Sequence, residues 1–274
     1  VVMLNRPGKK SETAAADLSP YGEVSQIECD LADLSQVAEA SERVKAEHPD
    51  TEVLICNAGV MSRLRKESRD GYELTFAVNH LAHFLLVTRL TDLLKRNAPA
   101  RIVVVSSMVH EGASVDLDNL QMAGNYDGMR AYGQSKRANV LFVRELALRL
   151  EGTGVTANAL PPGVIGTKLL HEYFSGGASV SEGAKTSVYV ATSQEIGAVS
   201  GLAYDGMGEA TGAMGMDVGD LAGDGHLCVG IGNFANEASS LYVQQPGDPW
   251  QFADMAALHG IGSPSRLRLS FGFL

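Results

Sequence analysis

Val53-Leu54-Ile55-Cys56-Asn57-Ala58-Gly59 is a short apolar run that stops on a polar, glycine-containing turn. A run this continuous suits a strand covered on both faces, because a half-exposed strand would alternate apolar and polar residues. Two further runs repeat the pattern. Ile102-Val103-Val104-Val105 ends in Ser106-Ser107, and the run from Val155 to Leu160 ends in Pro161-Pro162-Gly163. Helical stripes separate them. Leu74, Val78, Leu81 and Leu85 recur at helical spacing in a long helix reaching Arg96, and Val143, Leu146, Ala147 and Leu150 mark another that starts near Arg130. Toward the N-terminus, residues 1–4 read as a strand, 11–17 as a short polar helix and 24–27 as an edge strand. Residues 33–47 read as a helix with Asp33 near its cap. Strands alternating with helices build βαβ units, so the predicted fold class is α/β with a doubly wound parallel sheet.

Composition narrows the function. The chain has 274 residues, 45% of them hydrophobic, enough to bury a sizeable core. A net charge of -10 argues against nucleic acid as a partner, because phosphate binding needs clustered Lys and Arg. Cys29, Cys56 and Cys228 show neither paired nor metal-ligand spacing, which fits buried thiols in a reducing, cytoplasmic compartment. His80 and His83 lie three apart, but nothing near them completes a metal set, so no metal is expected. No apolar run reaches the ~18 residues of a membrane span. After Gly206 the character changes. Nine glycines fall between Gly206 and Gly232, and no periodicity is sustained. The expected division is therefore a domain over 1–206 and a loop-rich or disordered tail over 207–274.

In parallel sheets ligands bind beyond the carboxyl ends of the strands. Asn57-Ala58-Gly59, Ser106-Ser107 and Pro162-Gly163 all lie there. Tyr132-Gly133-Gln134-Ser135-Lys136 places Tyr132 and Lys136 four residues apart on one helical face. A phenol titrates near ~10, too high for a neutral-pH proton donor, and an adjacent ammonium would lower it. Tyr132 could then exchange a proton with a carbonyl or alcohol oxygen, with Ser107 hydrogen-bonded to the same oxygen. Alone, a Tyr-x-x-x-Lys pair is a weak signal; with Ser-Ser upstream and Pro-Gly downstream it is a strong one.

Residues 1 to about 206 resemble the short-chain dehydrogenase/reductase family, and most of all its retinol-dehydrogenase-like branch. The matching pieces are Asp30-Leu31, Asn57-Ala58-Gly59-Val60, Asn79 in Val78-Asn79-His80, Val105-Ser106-Ser107, Tyr132-x-x-x-Lys136 and Pro162-Gly163-x-x-x-Thr167. The resemblance implies a Rossmann-type fold and an oxidoreductase moving a hydride between a nicotinamide cofactor and an alcohol, aldehyde or ketone. It assigns catalysis to Asn79, Ser107, Tyr132 and Lys136, with Asn79 anchoring a water that relays protons to Lys136. It places Asp30 and Leu31 beside the adenine and Asn57, Ala58 and Gly59 along the cofactor floor. Pro162, Gly163, Val164 and Thr167 hold the carboxamide end, and Tyr132 and Lys136 also touch the cofactor. Relatives assemble through the helix carrying Tyr132, which implies a homo-oligomer. Some relatives anchor in membranes through N-terminal segments, so membrane association is left open.

Cofactor choice rests on Asn5-Arg6 at the end of the first strand. An NAD enzyme usually carries an acidic residue there. Asn5 replaces it, and the Arg6 guanidinium suits a phosphate, so NADP(H) is expected in preference to NAD(H). Met108, His110, the 113–129 loop and 164–185 are expected to shape the substrate mouth. The sequence departs from the family in one respect. The glycine-rich turn that cradles the pyrophosphate belongs to a first strand ahead of Val1, and neither is in the sequence. The expectation is a truncated domain, the alternative being a catalytically inactive Rossmann-like fragment without cofactor binding. Gly230-Ile231-Gly232-Asn233-Phe234-Ala235 fits Gly-x-Gly-x-x-Ala, but follows only three apolar residues and is read as a chance match.

Overall fold

A computed structural model describes residues 1–171 and 173–201, and beyond them the strands at 203–204, 210–211, 213–219, 228–233, 240–244 and 252–254. The chain divides into two compact units, the first over Val1–Leu202. That unit has the predicted α/β, Rossmann-type order. β1 (Val2–Asn5), α1 (Lys9–Leu18), β2 (Ser25–Glu28), α2 (Leu34–Glu47) and β3 (Val53–Cys56) come first. They are followed by α3 (Leu74–Phe76), a π-helical turn (Ala77–Leu81), α4 (Ala82–Arg96), β4 (Ala100–Val105) and α5 (Gly128–Arg149). β5 (Val155–Leu160), α6 (Lys168–His171) and α7 (Val180–Thr192) close the unit.

Every strand pair described in this unit is parallel: β1 with β2, β3 with β4, and β4 with β5. Among the described residues β1 pairs with β2 and β3 with β4, so the pairs form two sheets rather than one. Both contribute to one unit because Val37, Ala40 and Val44 of α2 and Ala82, Leu86, Leu90 and Leu93 of α4 bury against Ile27. Val2, Leu4 and Leu54 pack on that cluster from β1 and β3. β4 and β5 are nearly fully buried, as their apolar runs predict. β3 departs from the expectation of a strand covered on both faces. Val53 and Ile55 are 41% and 43% exposed, because β3 is the last strand of its sheet.

Local signals set the helix ends. The Asp33 carboxylate accepts from the N–H groups of Ser35 and Gln36, two of the donors a helix start leaves without partners. Glu73 does the same for Thr75 and Phe76, fully buried, and also accepts from the Tyr126 hydroxyl at 3.0 Å. Glu73→Ala would leave two N–H groups and a phenol without that acceptor, an expected loss of about 2–4 kcal/mol. Urea denaturation of wild type and variant measures it; a difference under about 1 kcal/mol would show that water replaces the carboxylate.

The single helix predicted from Leu74 to Arg96 is broken in the structure. The Ala82 N–H reaches back to the Ala77 carbonyl, the wider spacing of a π-turn, and Asn79 lies in its middle. Such turns shift the helix face and recur at functional sites. A hydrophobic stripe cannot show this shift, because the apolar residues on either side keep their spacing to within a fraction of a turn.

The second unit contains an antiparallel sheet in the order β11-β10-β9-β8, from β8 (Ala213–Gly219), β9 (Cys228–Asn233), β10 (Ser240–Gln244) and β11 (Phe252–Asp254). It also holds the antiparallel pair β6 (Ala203–Tyr204) and β7 (Ala210–Thr211). The loop-rich reading of 207–274 is corrected at these strands. A ladder is made by backbone groups, so glycines such as Gly215 and Gly230 can join it while erasing the alternation by which strands are recognised. Gly230 and Gly232 pair with β8 on one side, and Gly230 with β10 on the other. They lie inside a strand, not in a phosphate-binding turn before a helix.

Candidate active site

The carboxyl ends of β1, β3, β4 and β5 open on one cavity of about 970 Å³. Every residue assigned to cofactor or catalysis at the sequence level except Asn79 lines it: Arg6, Asp30, Leu31, Asn57, Ala58, Gly59, Ser107, Tyr132, Lys136, Pro162, Gly163, Val164 and Thr167. Asn79 lies just beneath, fully buried. At one end of the cavity Asn5 finishes β1 with its Oδ1 buried and without a partner, and the exposed Arg6 follows. The Asp30 carboxylate accepts from the Ala32 N–H at 3.0 Å, which fixes the Asp30-Leu31 turn beside them.

At the other end Ser106 and Ser107 follow β4 and both line the cavity. Ser106 is buried and donates to the Lys136 carbonyl at 2.9 Å, tying β4 to α5. Ser107 lines the cavity with Tyr132, near enough to oppose the burial shift of its phenol. Tyr132 and Lys136 are 8% and 2% exposed. The Lys136 Nζ donates to the Val105 carbonyl at 2.8 Å and lies 5.7 Å from the centre of the Tyr132 ring. Gly163, with φ of 86°, takes a backbone conformation that favours glycine and turns the chain after β5 across this end of the cavity.

The electrostatics differ from the expectation: burial holds the Tyr132 phenol above its ordinary value, with Ser107 opposing the shift. Lys136 is itself desolvated. Burial pulls its amine from 10.5 down to about 8, with the neighbouring Cys56 opposing the shift, and one of its protons is committed to Val105. Cys56 lies in the same apolar surroundings, which push its thiol up to about 12.

At Gly59 a Cβ would sit 3.6 Å from Lys136 Nζ and 3.7 Å from Asn79 Oδ1, ordinary contacts within the chain itself. An added methyl would occupy the space in front of the Lys136 amine.

Asn79 is held firmly by the protein. Its side chain clasps the backbone of Val60 from both directions, accepting from the N–H at 2.8 Å and donating to the carbonyl at 2.9 Å. Its second amide proton goes to Ser135 Oγ at 3.0 Å, and Ser135 donates in turn to the Tyr132 carbonyl. The side chain's donors are thereby used by the protein, and it acts as a strut under residues 57–60. Sequence reading missed Ser106, Ser135 and Asn139. The available signal was that Ser135 and Asn139 continue the buried face of Tyr132 at i+3 and i+7, where a structural helix would carry apolar residues.

The mouth beside Tyr132 is apolar. Met108, Met129, Val164, Ile165, Leu169, Leu170 and Phe174 line it. His110, expected there, points away: it is buried, and its Nδ1 lies 2.6 Å from the Ser107 carbonyl. Residues 113–127 do not line the cavity either. Gln134, buried on α5, holds Asp116 and Leu120 through both ends of its amide.

Comparison with known proteins follows the same lines. The family model described as short chain dehydrogenase matches residues 1–177. Retinol dehydrogenase 14 of Homo sapiens is 42% identical over 201 residues, covering 67% of this chain and 59% of that protein. Retinol dehydrogenase 13 of Homo sapiens is 38% identical over 76% of this chain and 69% of its own length. The chain thus spans somewhat over half the length of the first of these relatives. Among solved structures, an uncharacterized protein from Mycobacterium paratuberculosis superposes with a TM-score of 0.61 at 33% identity, covering 75% of this chain and 70% of that one. An NADPH-bound carbonyl reductase from chicken fatty liver shares the fold, with a TM-score of 0.58 at 18% identity over 77% and 86% of the two chains.

Proposed function

The chain belongs to the short chain dehydrogenase family, and from that premise we propose that it moves a hydride between NADP(H) and an apolar alcohol or carbonyl compound, with Tyr132 as the proton donor or acceptor. The observation that carries this reading is the convergence of Ser107, Tyr132 and Lys136 on one cavity end lined otherwise by apolar side chains. Nothing in the site favours the inactive-fragment alternative. The relatives' name points to retinol, an elongated apolar alcohol, and the mouth from Met108 to Phe174 suits such a chain.

The cavity fits a dinucleotide at both of its flanks. The buried, unpartnered Oδ1 of Asn5 and the exposed Arg6 would meet a ribose and its phosphate, with Asp30 and Leu31 bordering the adenine. Asn57, Ala58 and Gly59 would line the floor, and Pro162, Gly163, Val164 and Thr167 the carboxamide end. When bound, the nicotinamide supplies or accepts the hydride. Ser107 donates a hydrogen bond that orients the reacting oxygen in front of Tyr132. Tyr132 gives that oxygen its proton during reduction and removes it during oxidation. The Lys136 ammonium, close behind, stabilises the phenolate that results, and residues 57–60, held by Asn79, exclude water from below.

Two tests follow. Purified protein mixed with retinal and NADPH should consume NADPH at a rate proportional to protein concentration; failure with retinal and with medium-chain aldehydes and ketones alike would refute the assignment. Arg6→Ala should lower the preference for NADPH over NADH in kcat/KM by about tenfold or more, as expected for loss of one charge-assisted phosphate contact; an unchanged ratio would remove Arg6 from the cofactor site. The reduction rate should also depend on pH. Lys136 is charged below about 8 and neutral above, so kcat/KM for reduction falls as pH rises through that value. A profile flat from 6 to 10, roughly two units either side, would separate Lys136 from the proton transfer.

A further inference from the structure

The carbonyl of Asn79, at the centre of the π-turn, accepts from the side-chain amide of Asn139 at 2.9 Å. Asn139 is fully buried on α5, three residues beyond Lys136. Its own amide oxygen lies 2.9 Å from Nδ1 of His80, the residue after Asn79. His80 packs among the rings of Phe76, Phe84 and Phe142, at centroid distances of 5.1, 6.2 and 6.1 Å. Burial keeps its imidazole below its ordinary pKa, against the opposing Asn139 contact, so the ring is neutral at pH 7.

These contacts can be satisfied in only one arrangement. A carbonyl must receive a proton, so Asn139 presents Nδ2 to Asn79 and Oδ1 to His80. Oδ1 is an acceptor, so the neutral His80 must carry its proton on Nδ1. The histidine tautomer thus sets the orientation of the Asn139 amide, and the amide holds the Asn79 carbonyl. Asn79 in turn clasps Val60 at the end of the 57–60 floor. The chain of bonds links α5, which carries Tyr132 and Lys136, to the floor on the opposite wall of the cavity. Hydrophobic packing alone would not fix this link, because apolar contacts are not directional.

We propose that Asn139, oriented by His80, is a positioning residue that fixes the distance between the Tyr132–Lys136 helix and the floor at residues 57–60 by gripping the π-turn at Asn79. The kinetic part of this inference rests on the dehydrogenase reading above; the bonding part does not.

The test uses Asn139→Leu and His80→Phe in the complete chain. His80→Phe keeps the aromatic packing and removes the ring donor at a half-buried site, so it stays informative should Asn139→Leu fail to fold. With NADPH and retinal as probes, Asn139→Leu should lower kcat by about tenfold or more, the scale of effect expected when catalytic parts shift by a fraction of an ångström. His80→Phe should act in the same direction by a smaller factor. In an Asn79→Ala background either substitution should cost less than about twofold, because the backbone grip on the turn then has no side-chain clasp to carry it to Val60. Equal losses in both backgrounds would reveal a general packing role and overturn the proposal.

Nitrogen NMR of the His80 ring supplies the readout independent of turnover. The wild-type ring should carry its proton on Nδ1, the minor tautomer of free histidine in water, and Asn139→Leu should release that preference. A wild-type ring protonated on Nε2 overturns the proposal whether or not the protein turns over. Absence of turnover in wild type with the Nδ1 proton present would count against the proposed activity and leave the His80–Asn139–Asn79 chain standing.

Discussion

Tyr132→Phe should abolish turnover and leave NADPH binding intact. The substitution removes one hydroxyl from a side chain that is 8% exposed and keeps the ring that packs against α5, so the fold should not change. On the proposed mechanism, what is lost is the group that exchanges a proton with the reacting oxygen. General acid–base catalysis contributes about 10²–10⁴ in rate, and kcat should fall by that factor. The Kd for NADPH, measured by fluorescence titration, should stay within about threefold, because Lys136, the floor and the strand ends are untouched. A variant that kept more than about a tenth of the wild-type kcat would show that the proton comes from elsewhere. Loss of turnover together with loss of NADPH binding would place Tyr132 in cofactor binding rather than in proton transfer.

Lys136→Met should make the protein more stable while making it inactive. Lys136 is 2% exposed, and burial lowers its amine to about 8 from 10.5. The unfolded chain therefore binds more protons than the folded one between those values. The charge costs folding stability in full below about 8, and the cost disappears as pH rises toward 10.5. At pH 7 the difference corresponds to on the order of 3 kcal/mol. Methionine fills a similar volume without a charge but strips the Val105 carbonyl of its donor, which costs about 1–2 kcal/mol. The net expectation is a gain of about 1–2 kcal/mol, or roughly 2–6 °C in Tm at pH 7, shrinking above pH 10. Activity should fall by about 10² or more, because the phenolate of Tyr132 loses its nearby cation. Thermal unfolding at pH 7 and pH 10.5 tests the first claim, and a variant less stable than wild type at pH 7 would contradict it. Such an exchange of stability for function is expected where a site holds a charge away from water.

The site was largely legible in the sequence, for an identifiable reason. Cavities of a parallel sheet open beyond the carboxyl ends of its strands, so finding where apolar runs stop points to the cavity-lining residues without knowledge of their contacts. Asn57, Ser107 and Gly163 lie one, two and three residues beyond β3, β4 and β5, and all three line the cavity. Tyr132 and Lys136 were legible because helical spacing is local. The residues that were missed act across distance in the chain. Ser135 and Asn139 reach Asn79 over separations of 56 and 60 residues, and their chemistry is that of ordinary polar side chains until the partner is known. His110 was misplaced for the converse reason. It lies close to Ser107 in the chain, yet its ring folds back onto the Ser107 carbonyl rather than into the cavity.

The amino-acid sequence by itself determined the order of strands and helices, the parallel α/β class, the end of the sheet at which the cavity opens, and which tyrosine and lysine face that end. All of these follow from periodicities of two and 3.6 residues and from where they stop. Tertiary structure decided the rest. It placed the π-turn at Asn79, tied Ser106 to the Lys136 carbonyl, spent the Asn79 side chain on Val60, and desolvated Lys136, pulling its amine down to about 8. It also paired the glycine-rich stretches 213–219 and 228–233 into a sheet. Each of these depends on what a group meets once buried: the hydrogen-bond partner that replaces water, or the lack of water around a charge. Such energies belong to pairs of residues brought together by folding, and a linear pattern contains only one member of each pair at a time.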